Sequence, residues 1–243
     1  MVRAGRRETG DARLLARPAP PTGDIGPGLH RLGLGGGRDA LLYVPGRYQP
    51  ERPAPFILSL HGAGGDETSG LFPLHDLADA AGLILLSPAS RDRTWDVILG
   101  GFGPDVAFID RALAAAFDRC AVDPARIGIA GFSDGGSYAL SLGLANGDLF
   151  PAVIAFSPGF IVPTTLRGAP RFFVSHGVRD TVLPIDRTSR RLVPELTDGG
   201  YDIRYREFDG GHTVLPEIAR GGLSWFLDWP NPKPDPPVVI PQP

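Results

Sequence analysis

Short apolar runs alternate with longer segments of helical period through most of this 243-residue chain. The apolar runs begin at Phe56 and recur as far as Phe208, and the segments between them are long enough to form helices. This alternation is typical of βαβ units, in which helices connect the parallel strands of one sheet. The pattern therefore predicts an α/β fold with a mostly parallel central sheet and helices on both of its faces.

The same periodicity gives the approximate bounds of the elements. Strands are predicted at residues 56–60, 83–87, 127–130, 153–156, 172–175 and 203–208. Helices are predicted at residues 71–81, 105–119, 135–145, 187–197 and 214–227. Ahead of these elements, apolar residues at 29–34 and 40–44 flank a glycine-rich segment, a pattern that predicts a β-hairpin.

The composition along the chain divides it into a central domain and two ends. Residues 1–28 mix Arg, Pro and Gly without periodicity, and we expect them to be extended or disordered. Residues 230–243 form a proline-rich tail that cannot become a helix. Because no linker divides the rest of the chain, we predict one domain over residues 29–229.

Charge and cysteine content exclude several classes of partner and compartment. A net charge of −3 without a basic stripe argues against nucleic-acid binding, which requires clustered positive charge. The single cysteine, Cys120, excludes an intrachain disulfide, and the basic N-terminus lacks the apolar core of a signal peptide. No apolar run approaches the roughly 18 residues that span a membrane. We therefore expect a cytoplasmic monomer or homodimer.

The segment Gly131-Phe-Ser-Asp-Gly135 carries the strongest chemical signal. It follows a predicted strand and opens a predicted helix, and a chain that reverses there needs glycine on both sides of the serine. In this context Ser133 is a candidate nucleophile. The pattern alone is weak in a glycine-rich chain, and the alternative is an ordinary glycine turn that exposes a serine.

A serine nucleophile needs a base, and an imidazole that a carboxylate orients is the usual solution. Asp180 follows the predicted strand 172–175, and His212 follows the predicted strand 203–208. The resulting chain order of Ser, Asp and His is that of α/β-hydrolases. All three residues lie beyond the carboxyl ends of predicted parallel strands, where open α/β sheets gather their ligand sites.

Other residues compete for two of these roles. His176 also ends a strand, but it lies within the loop that should supply the acid, so we expect it to be a hydrogen-bonding residue there. The alternative acids are Asp186, Glu207 and Asp209. Asp186 lies where a helix N-cap is needed, and Asp209 is so close to His212 that its strand can point it elsewhere.

Four motifs recur in a fixed order: Leu60-His-Gly-Ala-Gly-Gly65, Gly131-Phe-Ser-Asp-Gly-Gly136, His176-Gly-Val-Arg-Asp180 and Gly210-Gly-His212. With them, the chain resembles the α/β-hydrolases of the phospholipase/carboxylesterase type over about residues 40–228. The resemblance implies a serine hydrolase of small-molecule carboxylic esters, with Ser133 as nucleophile, His212 as base and Asp180 as its orienting acid. No cofactor is expected. The spacing of the histidines and the lone cysteine gives no support for a metal site.

Attack on an ester creates an oxyanion, which preorganised N–H groups stabilise. One donor should be the backbone N–H of Asp134, because this residue follows the nucleophile and begins a helix. For the second donor the resemblance points to the backbone N–H of Ala63.

The residues that contact substrate are less constrained by the sequence. Trp95 follows a predicted strand, in a region that borders the active site in the resembling family, and it either lines the pocket or packs in the core. Phe160 and Val182 also lie beyond strand ends and could form an apolar wall. No insertion is long enough for a large lid, so we expect short or medium acyl esters. The alternatives are a serine peptidase or acyl transferase, and a binding protein without catalysis.

Overall fold

The computed structural model of the chain describes residues 12–35, 37–162 and 164–228. Its centre is an eight-stranded sheet with the strand order β1-β2-β4-β3-β5-β6-β7-β8. The strands are β1 (Gly28–Arg31), β2 (Ala40–Val44), β3 (Ala54–Leu60), β4 (Ile84–Pro88), β5 (Val122–Phe132), β6 (Ala152–Phe156), β7 (Arg171–Gly177) and β8 (Ile203–Phe208). The hairpin β1–β2 joins β4 in antiparallel pairing, and every pair from β4 to β8 is parallel.

Helices cover both faces of this sheet. They are α1 (His75–Ala81), α2 (Asp96–Leu99), α3 (Pro104–Arg119), α4 (Asp134–Ala145), α5 (Ser189–Asp198) and α6 (Pro216–Leu227). Apolar residues of α3, α4 and α5 form the core on one face, and those of α1 and α6 form the core on the other. The predicted α/β-hydrolase architecture is confirmed.

The central strands are buried on both sides, as parallel strands covered by helices must be. In β3, for example, Phe56 and Leu58 pack into the core of α3–α5, whereas Ile57 packs into the core of α1 and α6. Successive side chains of a strand point to opposite faces, so both cores draw on the same apolar run. This is why central strands such as β3, β4 and β6 read as apolar stretches in the sequence.

The predicted strands and helices are all found near their expected positions, and the predicted hairpin is β1–β2. Helix α2 was not predicted, because its four residues are too few to show a helical period. The carboxyl ends of β3, β5, β7 and β8 meet at one edge of the sheet. In the part of the chain that the structure describes, the helices inserted between strands in addition to α1, α3, α4, α5 and α6 are short, and the longest of them is the four-residue α2.

The first described residues are tied to the helical layer although they form no helix or strand. Asn146, at the end of α4, accepts a hydrogen bond from the N–H of Leu14 and donates one to the carbonyl of Ala12. Ala12 and Leu14 are both buried. The segment from residue 12 is therefore packed against the domain, which composition did not predict. Residues 1–11 and the predicted proline-rich tail at 230–243 lie outside the described residues, and the domain bounds remain predictions.

Candidate active site

Ser133 alone connects β5, which ends at Phe132, to α4, which begins at Asp134. Its φ of 59° and ψ of −120° place a non-glycine residue in a sparsely populated backbone region. The flanking glycines permit this turn. A Cβ atom on Gly131 would overlap the carbonyl of Gly135, and a Cβ atom on Gly135 would overlap the carbonyl of Leu60. The glycines at both ends of the motif are therefore required by close backbone packing.

The structure brings Ser133, His212 and Asp180 into hydrogen-bonding contact. The Ser133 Oγ lies 2.8 Å from His212 Nε2, and His212 Nδ1 lies 2.6 Å from Asp180 Oδ2. Since the carboxylate accepts, Nδ1–H of His212 donates to Asp180, which leaves Nε2 free to accept the serine proton. The His212 side chain is 15% exposed, so the chain of contacts opens to solvent at the imidazole.

Backbone amides hold the Asp180 carboxylate in place. Its Oδ1 accepts hydrogen bonds from the N–H groups of Val182 at 2.9 Å and Leu183 at 2.8 Å. Burial acts to raise the pKa of Asp180, but the bonds from Leu183, His212 and Val182 outweigh it and hold the pKa below its usual value. The carboxyl group is therefore ionised at neutral pH and oriented toward His212.

His176 braces the loop that carries Asp180. Its Nε2–H donates to the carbonyl of Leu183 at 2.8 Å, and its Nδ1 accepts from the hydroxyl of Ser189 at 2.7 Å. Burial lowers the pKa of His176, which favours the neutral imidazole that this pattern requires. The predicted hydrogen-bonding role of His176 is confirmed.

The three competing acids have other partners. Arg190 forms ion pairs with Asp186 at 2.7 Å and with Glu207 at 2.6 Å. Asp209 is exposed and pairs with Arg179. Of the four acids weighed from the sequence, Asp180 is the one in contact with His212.

The turn after β3 passes directly beside Ser133. A Cβ atom on Gly62 would lie 3.5 Å from the Cβ of Ser133, and Ala63 follows on the exposed side of the turn. Asp134 begins α4, and its side chain accepts a hydrogen bond from the hydroxyl of Thr94 at 2.7 Å. The backbone N–H groups of Ala63 and Asp134 remain the predicted oxyanion donors.

Comparison with known proteins finds similarity to esterases. No family model matches the chain. Feruloyl esterase C of Emericella nidulans is 33% identical over 158 residues, which are 62% of this chain and 57% of that protein. A probable feruloyl esterase C of Aspergillus niger is 29% identical over 235 residues, 83% of this chain and 85% of that protein. The chain thus spans little more than half the length of the first relative.

A solved structure of similar fold is the ferulic acid esterase from the anaerobic fungus Anaeromyces mucronatus. It superposes with a TM-score of 0.62 at 16% identity, over 88% of this chain and 98% of that one. The chain has the α/β-hydrolase fold. The resemblance to esterases that the four motifs predicted is confirmed.

Trp95 does not line an open pocket. Its side chain is completely buried, and its Nε1–H donates to the carbonyl of His61 at 2.9 Å. The indole is stacked between the His61 ring at 4.6 Å and the Tyr138 ring at 5.0 Å. Of the two expectations for Trp95, the structure supports packing, because the ring has no surface that a substrate could reach.

The other two predicted substrate residues lie nearer the surface. Phe160 is half-buried and packs against the core of α3–α5. Val182 is 63% exposed in the loop that holds Asp180. Their contact with substrate remains a prediction.

Two side chains at the site were not singled out from the sequence. The Phe132 ring lies 4.8 Å from the His212 ring and forms one wall beside the imidazole. The His61 ring fixes the turn after β3 through a hydrogen bond between its Nδ1 and the backbone carbonyl of Gly62. A polar residue directly after a buried strand was the available signal for His61, whereas nothing in the sequence marks Phe132. Within the described residues, no group of three or more His, Cys, Asp or Glu side chains could hold a metal ion.

Proposed function

We propose that this chain is a serine hydrolase of carboxylic esters, in which Ser133, His212 and Asp180 form a catalytic triad. The observation that carries the proposal is the hydrogen-bonded series from the Ser133 hydroxyl through His212 to Asp180, with distances of 2.8 and 2.6 Å. The constrained turn at Ser133 supports it, because this turn directs the hydroxyl to the edge of the sheet where the loops after β7 and β8 converge.

In the proposed reaction, His212 Nε2 takes the hydroxyl proton as Ser133 Oγ attacks the ester carbonyl carbon. The carbonyl electrons move to oxygen and form a tetrahedral oxyanion. As this collapses, the alcohol leaves with the proton from His212, and the acyl group stays on Ser133. Water, deprotonated by His212, then attacks the acyl carbon of the acyl-enzyme. As the second tetrahedral oxyanion collapses, His212 returns this proton to Ser133 Oγ and the acid is released. Asp180 stabilises the imidazolium in both steps.

The backbone N–H groups of Asp134 and Ala63 are proposed as the oxyanion donors. The N–H of Asp134 lies at the start of α4, where the helix dipole favours negative charge. The turn that carries Ala63 approaches Ser133 from the end of β3. One such donor contributes about 3 kcal/mol to transition-state stabilisation in a serine hydrolase.

A short or medium acyl group is proposed for the substrate, because no inserted helix among the described residues is long enough to form a large lid. The relatives named feruloyl esterase make hydroxycinnamate esters the second candidate class. A series of p-nitrophenyl esters measured beside methyl hydroxycinnamates separates the two. We expect kcat/KM to peak at short or medium chains, and a peak at the longest chains would contradict this expectation.

Fluorophosphonate labelling tests the triad itself. We expect covalent labelling of the wild type that is lost in Ser133→Ala and kept in Ser224→Ala, whose serine is exposed on α6. His212→Ala should lower turnover by several orders of magnitude with little change in unfolding, because triad members act as a unit. An unlabelled wild type would leave the binding protein as the remaining alternative.

The acceptor of the acyl group separates hydrolase from transferase and peptidase. The triad itself does not discriminate, so ester, amide and alcohol acceptor assays are needed. None of the described helices is long and apolar enough to cross a bilayer. A cytoplasmic location and a monomeric or homodimeric state without nucleic-acid partners remain predictions.

A further inference from the structure

The peptide between Gly62 and Ala63 carries two groups of interest. Its N–H, on Ala63, is the second proposed oxyanion donor. Its carbonyl, on Gly62, accepts a hydrogen bond from His61 Nδ1 at 2.7 Å. Because a peptide unit is planar, fixing the direction of the carbonyl also fixes the direction of the N–H. Whatever holds the His61 ring therefore aims the donor.

The contacts of His61 leave one tautomer. The backbone N–H of Ser90 donates to His61 Nε2 at 2.9 Å, so Nε2 must be an unprotonated acceptor. The proton is then on Nδ1, where it is donated to the Gly62 carbonyl. His61 is 1% exposed, and this burial lowers the pKa of its imidazole and favours the neutral form.

Trp95 fixes the same residue at a second point. Its Nε1–H binds the His61 carbonyl at 2.9 Å while its ring stacks on the His61 imidazole with an interplanar angle of 29°. The other face of the indole stacks on Tyr138, whose hydroxyl donates to Asp96 Oδ1 at 2.9 Å. The indole is thus locked on both faces and at its nitrogen, in a fully buried position.

We propose that His61 and Trp95 are positioning residues that together hold the Ala63 N–H in the direction of the oxyanion. The proposal rests on the proposed function, since it needs an oxyanion to form at Ser133. Neither side chain has to touch substrate. A positioning role and a packing role predict different results. If Trp95 positions the donor, loss of the indole N–H should slow the chemical step more than it weakens substrate binding or lowers the stability of the fold.

The matched variants are Trp95→Phe and Trp225→Phe. Each keeps a buried aromatic ring and loses an indole, but Trp225 packs in the core of α1 and α6. We expect Trp95→Phe to lower kcat by about 10-fold to 100-fold, below the loss expected for a deleted donor, with KM changed by less than about twofold. Trp225→Phe should change kcat by less than about twofold. Thermal unfolding of both variants measures the packing effect separately.

A second pair of variants keeps the test valid if Trp95→Phe fails to fold. The amide of His61→Asn can replace the Nδ1 donor to the Gly62 carbonyl, whereas His61→Leu cannot. The expected order of kcat and of the rate of fluorophosphonate labelling is wild type, then His61→Asn, then His61→Leu. Equal kcat losses in the two tryptophan variants, or in the two His61 variants, would overturn the positioning role. A wild type that fluorophosphonate does not label would instead overturn the proposed function.

Discussion

At Ser133 the backbone geometry and the side-chain chemistry make opposite demands. A φ of 59° is easy for glycine and costly for serine, roughly 1–3 kcal/mol in a folded protein. Glycine, however, lacks the hydroxyl with which Ser133 contacts His212. The proposed nucleophile is therefore held in place at the expense of stability, and removal of its Cβ should show this.

We expect Ser133→Gly to be more stable than Ser133→Ala by about 1 kcal/mol, because both lack the hydroxyl but only glycine adopts this backbone conformation without strain. Urea unfolding of the two variants measures the difference. The same pair at Ser224, within α6, should give the opposite sign, since alanine favours a helix over glycine by about 1 kcal/mol. Equal stabilities of the two Ser133 variants would show that the turn stores no strain.

Side chains differ in how far the sequence could predict their positions. Ser133, Asp180 and His212 were predictable because each follows a strand, and parallel strands bring their carboxyl ends to one edge. The direction of Trp95 was not, since its hydrogen-bond partner is the His61 carbonyl, 34 residues away. A ring beside a strand end can turn toward solvent or toward the core, and only the partner decides.

At the scale of elements, the sequence pattern predicted the parallel strands and the longer helices. A helix that buries one face repeats its apolar residues at the helical period, and a parallel strand buried on both faces is a short apolar run. The short helix α2 leaves none. The packing of residues 12–16 also escaped prediction. It depends on Asn146, and on Asp110, which accepts the N–H groups of Leu15 and Ala16, and these partners are nearly a hundred residues away or more.

The close packing of the start of α4 against the end of β3 depends on a single residue, Gly135. Gly135 lies so close to the Leu60 and His61 carbonyls that a methyl group has no room. We expect Gly135→Ala to destabilise the protein by about 3 kcal/mol or more, because backbone atoms cannot yield as a flexible side chain can. It should also displace Ser133 and lower kcat.

Gly221 is the matched control for this prediction. It is exposed within α6, and a Cβ atom there would meet one atom, at 4.0 Å. Gly221→Ala should stabilise the protein by roughly 0.5–1 kcal/mol through helix propensity alone. Denaturant unfolding of the two variants compares them directly. A Gly135→Ala variant as stable as the wild type would mean that α4 can shift away from β3.

At the scale of the whole molecule, two buried carboxyl groups join the helical layer to the loop after β4. Asp105 accepts the N–H groups of Arg91 and Asp96, while Asp96 accepts those of Gly103 and Asp105. Asp96 also accepts the hydroxyl of Tyr138, the ring that stacks on Trp95. The same acids that cap α2 and α3 therefore support the aromatic stack behind the turn after β3.

Burial raises the pKa of Asp105 from 3.8 to about 6, and it also raises the pKa of Asp96. A raised pKa means that the folded state prefers the neutral acid, so its contribution to stability is complete below pH 3.8 and is lost as the pH rises through about 6. At about 1.4 kcal/mol for each unit, the loss from Asp105 amounts to at most about 3 kcal/mol. This opposes the effect of Asp180, whose lowered pKa adds stability as the pH rises.

The contribution of Asp105 can be isolated by substitution. As the pH rises from 4 to 7, the free energy of unfolding of Asp105→Asn should increase relative to that of the wild type. The reason is that the variant has no carboxyl group to ionise at this position. The amide still loses one backbone hydrogen bond, so the variant should be less stable than the wild type at pH 4, by about 1–3 kcal/mol. Asp76→Asn, whose side chain is 99% exposed, is the control for the loss of one carboxyl group at the surface. Urea unfolding at several pH values measures both differences, and parallel curves for Asp105→Asn and the wild type would mean that the folded state ionises Asp105 as readily as the unfolded chain does.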